Sequence, residues 1–88
     1  MRMSDVKYKI REKMRIKYGF SPHRKDITII KLDVDENKYF HAIIAVEELI
    51  ERQGLIEIRA PKQYYKLEYD GIYIDRTDEE GRVLGEAC

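Results

Sequence analysis

Two periodicities overlap between Ser4 and Phe20. At period two, Val6, Tyr8, Ile10, Met14, Ile16, Tyr18 and Phe20 alternate with Lys7, Lys9, Arg11, Lys13, Arg15 and Lys17, and only Glu12 interrupts the apolar column. That is a strand pattern. At period 3.6, Val6, Ile10, Met14 and Tyr18 form an i, i+4 line with Met3 beside it. The ends favour the helix. Ser4 suits an N-cap with Asp5 in the first turn. Arg15 and Lys17 suit the last turn, Gly19 the left-handed position that closes it, and Pro22 follows. A strand of this length without Gly or Pro would be unusual. The pattern therefore predicts an N-terminal basic helix, with a long strand as the alternative; the strand would bring all six basic residues to one face.

Residues 20–25 read as a loop punctuated by Ser21-Pro22. Residues 26–34 read as a strand with Ile30, Leu32 and Val34 on one face and Ile27 and Ile29 on the other, which predicts an interior position. Residues 36–53 read as the main helix: Tyr39, Ile43, Val46 and Ile50 fall on one line, Glu47, Glu48, Glu51 and Arg52 lie opposite, and Gly54 ends it. Phe40 and Ile44 do not fit that wheel and need a second partner, either the N-terminal segment or another subunit. Residues 55–59 form a short strand, broken at Ala60-Pro61-Lys62. Asp70-Gly71 between two apolar-alternating runs predicts a two-residue hairpin. Counting outward pairs Tyr69 with Ile72, Glu68 with Tyr73, Leu67 with Ile74 and Lys66 with Asp75. Tyr65, Leu67, Tyr69, Ile72 and Ile74 then share the core face, and Tyr64, Lys66, Glu68, Tyr73 and Asp75 the outer one. Residues 77–88 read as a partly ordered acidic tail.

The expected architecture is α+β: a small, mostly antiparallel sheet with the 36–53 helix packed on one face and the basic N-terminal segment beside it, all within one domain over residues 1–76. A winged-helix arrangement shares the late hairpin but requires a second helix, and an acidic recognition helix would repel phosphates. With 88 residues, 43% hydrophobic and seven Tyr, the chain is able to bury one core. Its longest apolar run, Ala42 to Val46, is far too short to span a bilayer. With no apolar leader and a lone Cys88, a cytoplasmic, membrane-free setting is expected.

Charge changes the picture. The totals cancel, but residues 1–25 carry nine basic and two acidic side chains, a net of +7, and the remainder carries −7. This asymmetry points to Lys7, Lys9, Arg11, Lys13, Arg15, Lys17, Arg24 and Lys25 as candidate nucleic-acid contacts. Phe40 and Ile44, the apolar pair left off the wheel, and Tyr64 and Tyr73, whose rings suit an interface, are candidate partner-binding residues.

Candidate chemistry is thin. Asp33-x-Asp35-x-Asn37 resembles the opening of a calcium loop, but Lys38 stands where Gly is required and Ile44 where a bidentate Glu is required. His23, His41 and Cys88 lack partners at ligand or nucleophile spacing. No metal, cofactor or catalytic residue is expected. The expected function is a non-enzymatic accessory protein that binds another protein or itself, as homodimer, inhibitor or adaptor; small chains of this kind are frequent in phages and other mobile elements. One alternative is nucleic-acid binding through residues 7–25. A second is an anionic-ligand protein lined by Arg24, Lys25 and Tyr64.

Overall fold

A computed structural model describes residues 2–20 and 25–84. The fold is α+β: one helix, α1 (Met3–Tyr18), lies on a five-stranded antiparallel sheet of β1 (Lys25–Val34), β2 (Phe40–Gln53), β3 (Ile56–Arg59), β4 (Gln63–Glu68) and β5 (Tyr73–Thr77). Strands run in the order β1-β2-β4-β5, and β3 pairs with the far end of β2.

The N-terminal segment is a helix. Val6, Ile10 and Met14, one residue per turn, are its buried side chains and meet Phe40, Ile44, Leu67 and Ile74 from the sheet. Arg2, not Ser4, precedes the first turn, and its carbonyl accepts from the Asp5 and Val6 amides. Gly19 closes the helix at φ +68, its N–H donating to the Arg15 carbonyl at 2.8 Å. Pro22 and the rest of the 21–24 loop lie outside the described residues.

The expected helix at 36–53 is a strand. Phe40, Ala42, Ile44 and Val46 alternate at period two, and all four are buried facing α1. Their partners on the other face, His41, Ile43 and Ala45, pair with β1 and β4. Phe40 and Ile44, which failed the helical wheel, are therefore the strand's own core positions, and both are fully buried within this chain. The 3.6-residue line through Tyr39, Ile43, Val46 and Ile50 arose because both faces of a central strand are apolar.

That central strand is β2, whereas β1 lies at the edge. The apolar residues of β1 occupy both alternation phases because a bulge between Ile29 and Lys31 shifts the register. Ile27, Ile29 and Leu32 then all turn toward the core, and Ile30 is left half exposed. An extra residue of this kind inverts the alternation beyond it.

In the β4–β5 hairpin the ladder follows the expected register: Glu68 with Tyr73, Leu67 with Ile74, and Lys66 with Asp75. The turn closes as expected, the Ile72 N–H donating to the Tyr69 carbonyl at 3.1 Å, but the ladder ends at Glu68 and Tyr73. Tyr69, Asp70 and Gly71 take φ of +51, +58 and +88, and the Gly71 N–H also donates to the Glu68 carbonyl at 3.1 Å, so the left-handed stretch starts one residue before the expected turn. A tertiary tie accounts for this. Asp70 accepts the Phe40 N–H on its carboxylate at 2.7 Å, and its own N–H donates to the Phe40 carbonyl at 3.0 Å. Tyr69 and Ile72, expected in the core, are consequently exposed. After Thr77 the chain folds back: Thr77 bridges Val83, and Gly81 sits against Ile43 on the face opposite α1. Asp78 organises this return by accepting the Glu80 and Arg82 amides. Cys88, Arg24 and His23 lie outside the described residues.

Candidate docking surface

The last part of β2 leaves the main sheet. β1 pairs with β2 as far as Glu48 and β4 as far as Val46; from Leu49 to Gln53 only β3 accompanies it. Residues 49–59 thus form a projecting two-stranded arm, turned at Gly54-Leu55 with Gly54 at φ +60. Its root is fixed by ionic contacts. Arg59 meets Asp26 and Glu57, and the Ala60 N–H donates to the Glu48 carbonyl at 2.9 Å.

The arm's apolar side chains are uncovered: Ile50 is 54% exposed, Ile56 66% and Ile58 40%, and Leu55 at the tip is fully exposed. Register places them. Arg59 opposes Leu49, so Ile58 and Ile56 lie on the other side, which is the side of the sheet that carries Val46 and α1. Ile56 and Ile58 therefore continue the core face past the point where the helix stops covering it, while Ile50 is the extra residue of a bulge between Leu49 and Glu51 and Leu55 stands in the turn. Arg52, Glu57 and Arg59 share the reverse side and pair with one another. Glu51 is the charged residue on the apolar side, and it has no ion pair among the described residues.

A pocket of about 210 Å³ lies at the arm's root, between α1 and β1. Tyr8, Phe20 and Ile27 supply its apolar surface, and Arg11, Arg15 and Lys25 its cations. Glu12 also lines it and pairs with Arg15 at 3.0 Å. Lys25 pairs with Glu48 at 3.1 Å and lies over the Phe20 ring, 4.6 Å from its centre. Phe20 itself stacks on Tyr18 and edges onto Tyr65, which fixes that wall.

Because the segment is helical, its basic side chains do not share one face. Lys9, Lys13 and Lys17 form one flanking row at i, i+4 spacing, and this row is engaged with the body. Lys9 pairs with Asp70 at 3.8 Å, the stem of Lys13 lies beside Gly71, and the Lys17 ammonium donates to the Ile74 carbonyl at 2.8 Å. Lys7, Arg11 and Arg15 form the other row, of which Lys7 and Arg11 have no ion pair among the described residues. Tyr64 and Tyr73 lie on the face away from α1, and Lys25 lies on the α1 side, so Lys25 and Tyr64 do not line one site. Phe40 and Ile44, expected to meet a partner, are enclosed by the core. The exposed apolar surface that the sequence assigned to them belongs to the arm.

On the face away from α1, His41 is held between two carboxylates. Its Nε2 meets Asp35 at 2.8 Å and its Nδ1 meets Glu68. The hydrogen bond to Asp35, then that to Glu68, raises the imidazole above its ordinary value. Asp35 is held below the usual carboxylate range by His41 and by the Tyr39 and Asn37 amides. Glu68 is raised by burial, but the bonds from His41 and Lys66 outweigh this and hold it low. Tyr69 sets its edge on His41, with Tyr39 and Tyr73 around it. Both ring nitrogens are occupied from opposite sides, so no lone pair is free for base catalysis, and one cation could not reach His41 and both carboxylates at once. Asp33 belongs to β1, opposite His41, and Asp35 and Asn37 lie in the β1–β2 turn, where Asp35 accepts the Asn37 and Tyr39 amides. No helix is long and apolar enough to cross a membrane among the described residues. Comparison with protein-family models, curated proteins and solved structures finds no match.

Proposed function

We propose that this protein acts without catalysis, as a binding protein that docks onto another protein through the arm at residues 49–59. The observation that carries this is the exposed apolar set of the arm: Ile56 and Ile58 continue the core face, Leu55 stands at the tip and Ile50 at the bulge, and the described residues leave all four uncovered. Contiguous exposed apolar surface of this kind marks interaction sites, and a two-stranded hairpin is only marginally stable without a covering layer. The fully occupied His41 supports a non-catalytic reading. A photo-crosslinking residue placed at Leu55, with one at exposed Asp75 as control, tests it in the native host. Position 55 is expected to capture one identified protein that position 75 does not. Capture of nothing, or the same captures at both positions, removes the arm as the docking element.

Lys7 and Arg11 favour a second reading, in which this flank of α1 meets a polyanion. It requires affinity for duplex or single strands that falls steeply with salt, because bound phosphates release counterions. No binding at low salt eliminates it.

A further inference from the structure

We infer that the arm's partner is a second copy of this chain, in a two-fold arm-exchange dimer: the tip of each arm seats in the pocket between α1 and β1 of the other. This rests on the docking reading above and names its occupant. The two surfaces are chemically reciprocal. The arm presents Ile56 and Ile58 and, at its tip, Leu55, beside the Glu51 carboxylate, which accepts from Gln53 at 3.2 Å and has no ion pair among the described residues. The pocket presents Tyr8, Phe20 and Ile27 beside the guanidinium of Arg11, which has no ion pair among the described residues. Seating Leu55 in the pocket brings Glu51 to Arg11, so each removes the other's uncompensated charge as both leave water.

Placement supports the same pairing. Lys25 lines the pocket and pairs with Glu48, the residue immediately before the arm, so pocket and arm root are adjacent. Ile56 and Ile58 lie on the α1 side of the sheet, as the pocket does. Leu49 to Gln53 extends roughly 17 Å at about 3.3 Å per residue. A two-fold axis beside the arms carries each tip to the other copy's root, hence to its pocket. The contact is then made twice, as an isologous interface requires. The chain's net charge is zero, so copies carry no overall repulsion.

Sedimentation equilibrium on the full chain tests this. The wild type is expected to dimerise reversibly. Leu55→Asp, Arg11→Glu and Glu51→Arg, all at exposed positions, are each expected to raise the dissociation constant by at least about tenfold. The double variant R11E/E51R is expected to recover most of the loss, because the exchanged charges again meet across the two-fold. Asp75→Asn, away from both surfaces, should leave the dimer unchanged. A wild type that stays monomeric at millimolar concentration overturns the inference, as does a double variant no tighter than the singles. A monomeric wild type whose position 55 still captures a host protein ends the self-pairing and leaves the docking reading standing. Failure of both experiments ends both.

Discussion

His41 gives the molecule a defined response to pH. Its imidazole is raised by Asp35 and Glu68, while Asp35 and Glu68 are held low. A raised base contributes stability that is fully present below its unfolded value, about 6.5, and is lost as pH rises through the folded value. Depressed carboxyls contribute above about 4 and lose that contribution as pH falls through their folded values. The cluster therefore stabilises most between these limits. Thermal melts of wild type and His41→Gln are expected to differ most in that window and to converge toward alkaline pH; a difference that does not vary with pH removes the cluster's role. At Phe40, fully buried under α1, truncation to Ala is expected to cost about 3–5 kcal/mol in urea titrations, because the cavity cannot collapse around a strand already tied to Asp70. Gly71 is constrained twice over. Its φ is +88, and an added Cβ would lie 2.9 Å from the Lys13 stem. Gly71→Ala is expected to cost more than about 1 kcal/mol, and pairing it with Lys13→Ala should recover only the steric share.

At the level of elements, legibility followed how many faces each segment buries. The β4–β5 ladder buries one face, so its register was readable from Glu68 opposite Tyr73; in α1 the line through Val6, Ile10 and Met14 competed with a period-two column, and the chain ends and length favoured the helix. β2 buries both faces, and its apolar residues fitted a helix as readily as a strand; the misfit of Phe40 and Ile44 was the sign of period two. In β1 a single inserted residue, Ile30, imitated an interior strand. The arm was missed because its tip, Gly54-Leu55, also reads as a helix stop. The arm's energetics differ from those of the sheet. Its amides beyond Leu49 are expected to exchange hydrogen faster than those of residues 40–46 in the isolated monomer, since only one neighbouring strand protects them. Leu55→Asp is expected to leave monomer stability within about 0.5 kcal/mol, as for other exposed positions; a larger loss in denaturant titration would mean that the tip supports the fold.

For the whole molecule, the division of charge is resolved unevenly. Of the N-terminal cations, Lys9, Arg15 and Lys25 are paired with this chain's own acids, and Lys7 and Arg11 keep theirs facing outward. The sequence announced the asymmetry but not this sorting, because sorting depends on which helical row faces Asp70 and which faces solvent. The candidate surfaces were therefore half legible: Arg11 and Lys25 were named, whereas Tyr8, Phe20 and Ile27 come together with them only in three dimensions.

The kink at Ile30 also bears on how far assembly can go. An outermost strand is a template on which further chains can add, and a bulge flanked by Lys31 and Asp33 spoils that template along β1. At the opposite border the returning residues 78–84 occupy the margin of β5 through Thr77 and Arg76. Both borders of the main sheet are thus blunted, which leaves the arm at residues 49–59 as the strand pair whose outer edges carry no ladder among the described residues.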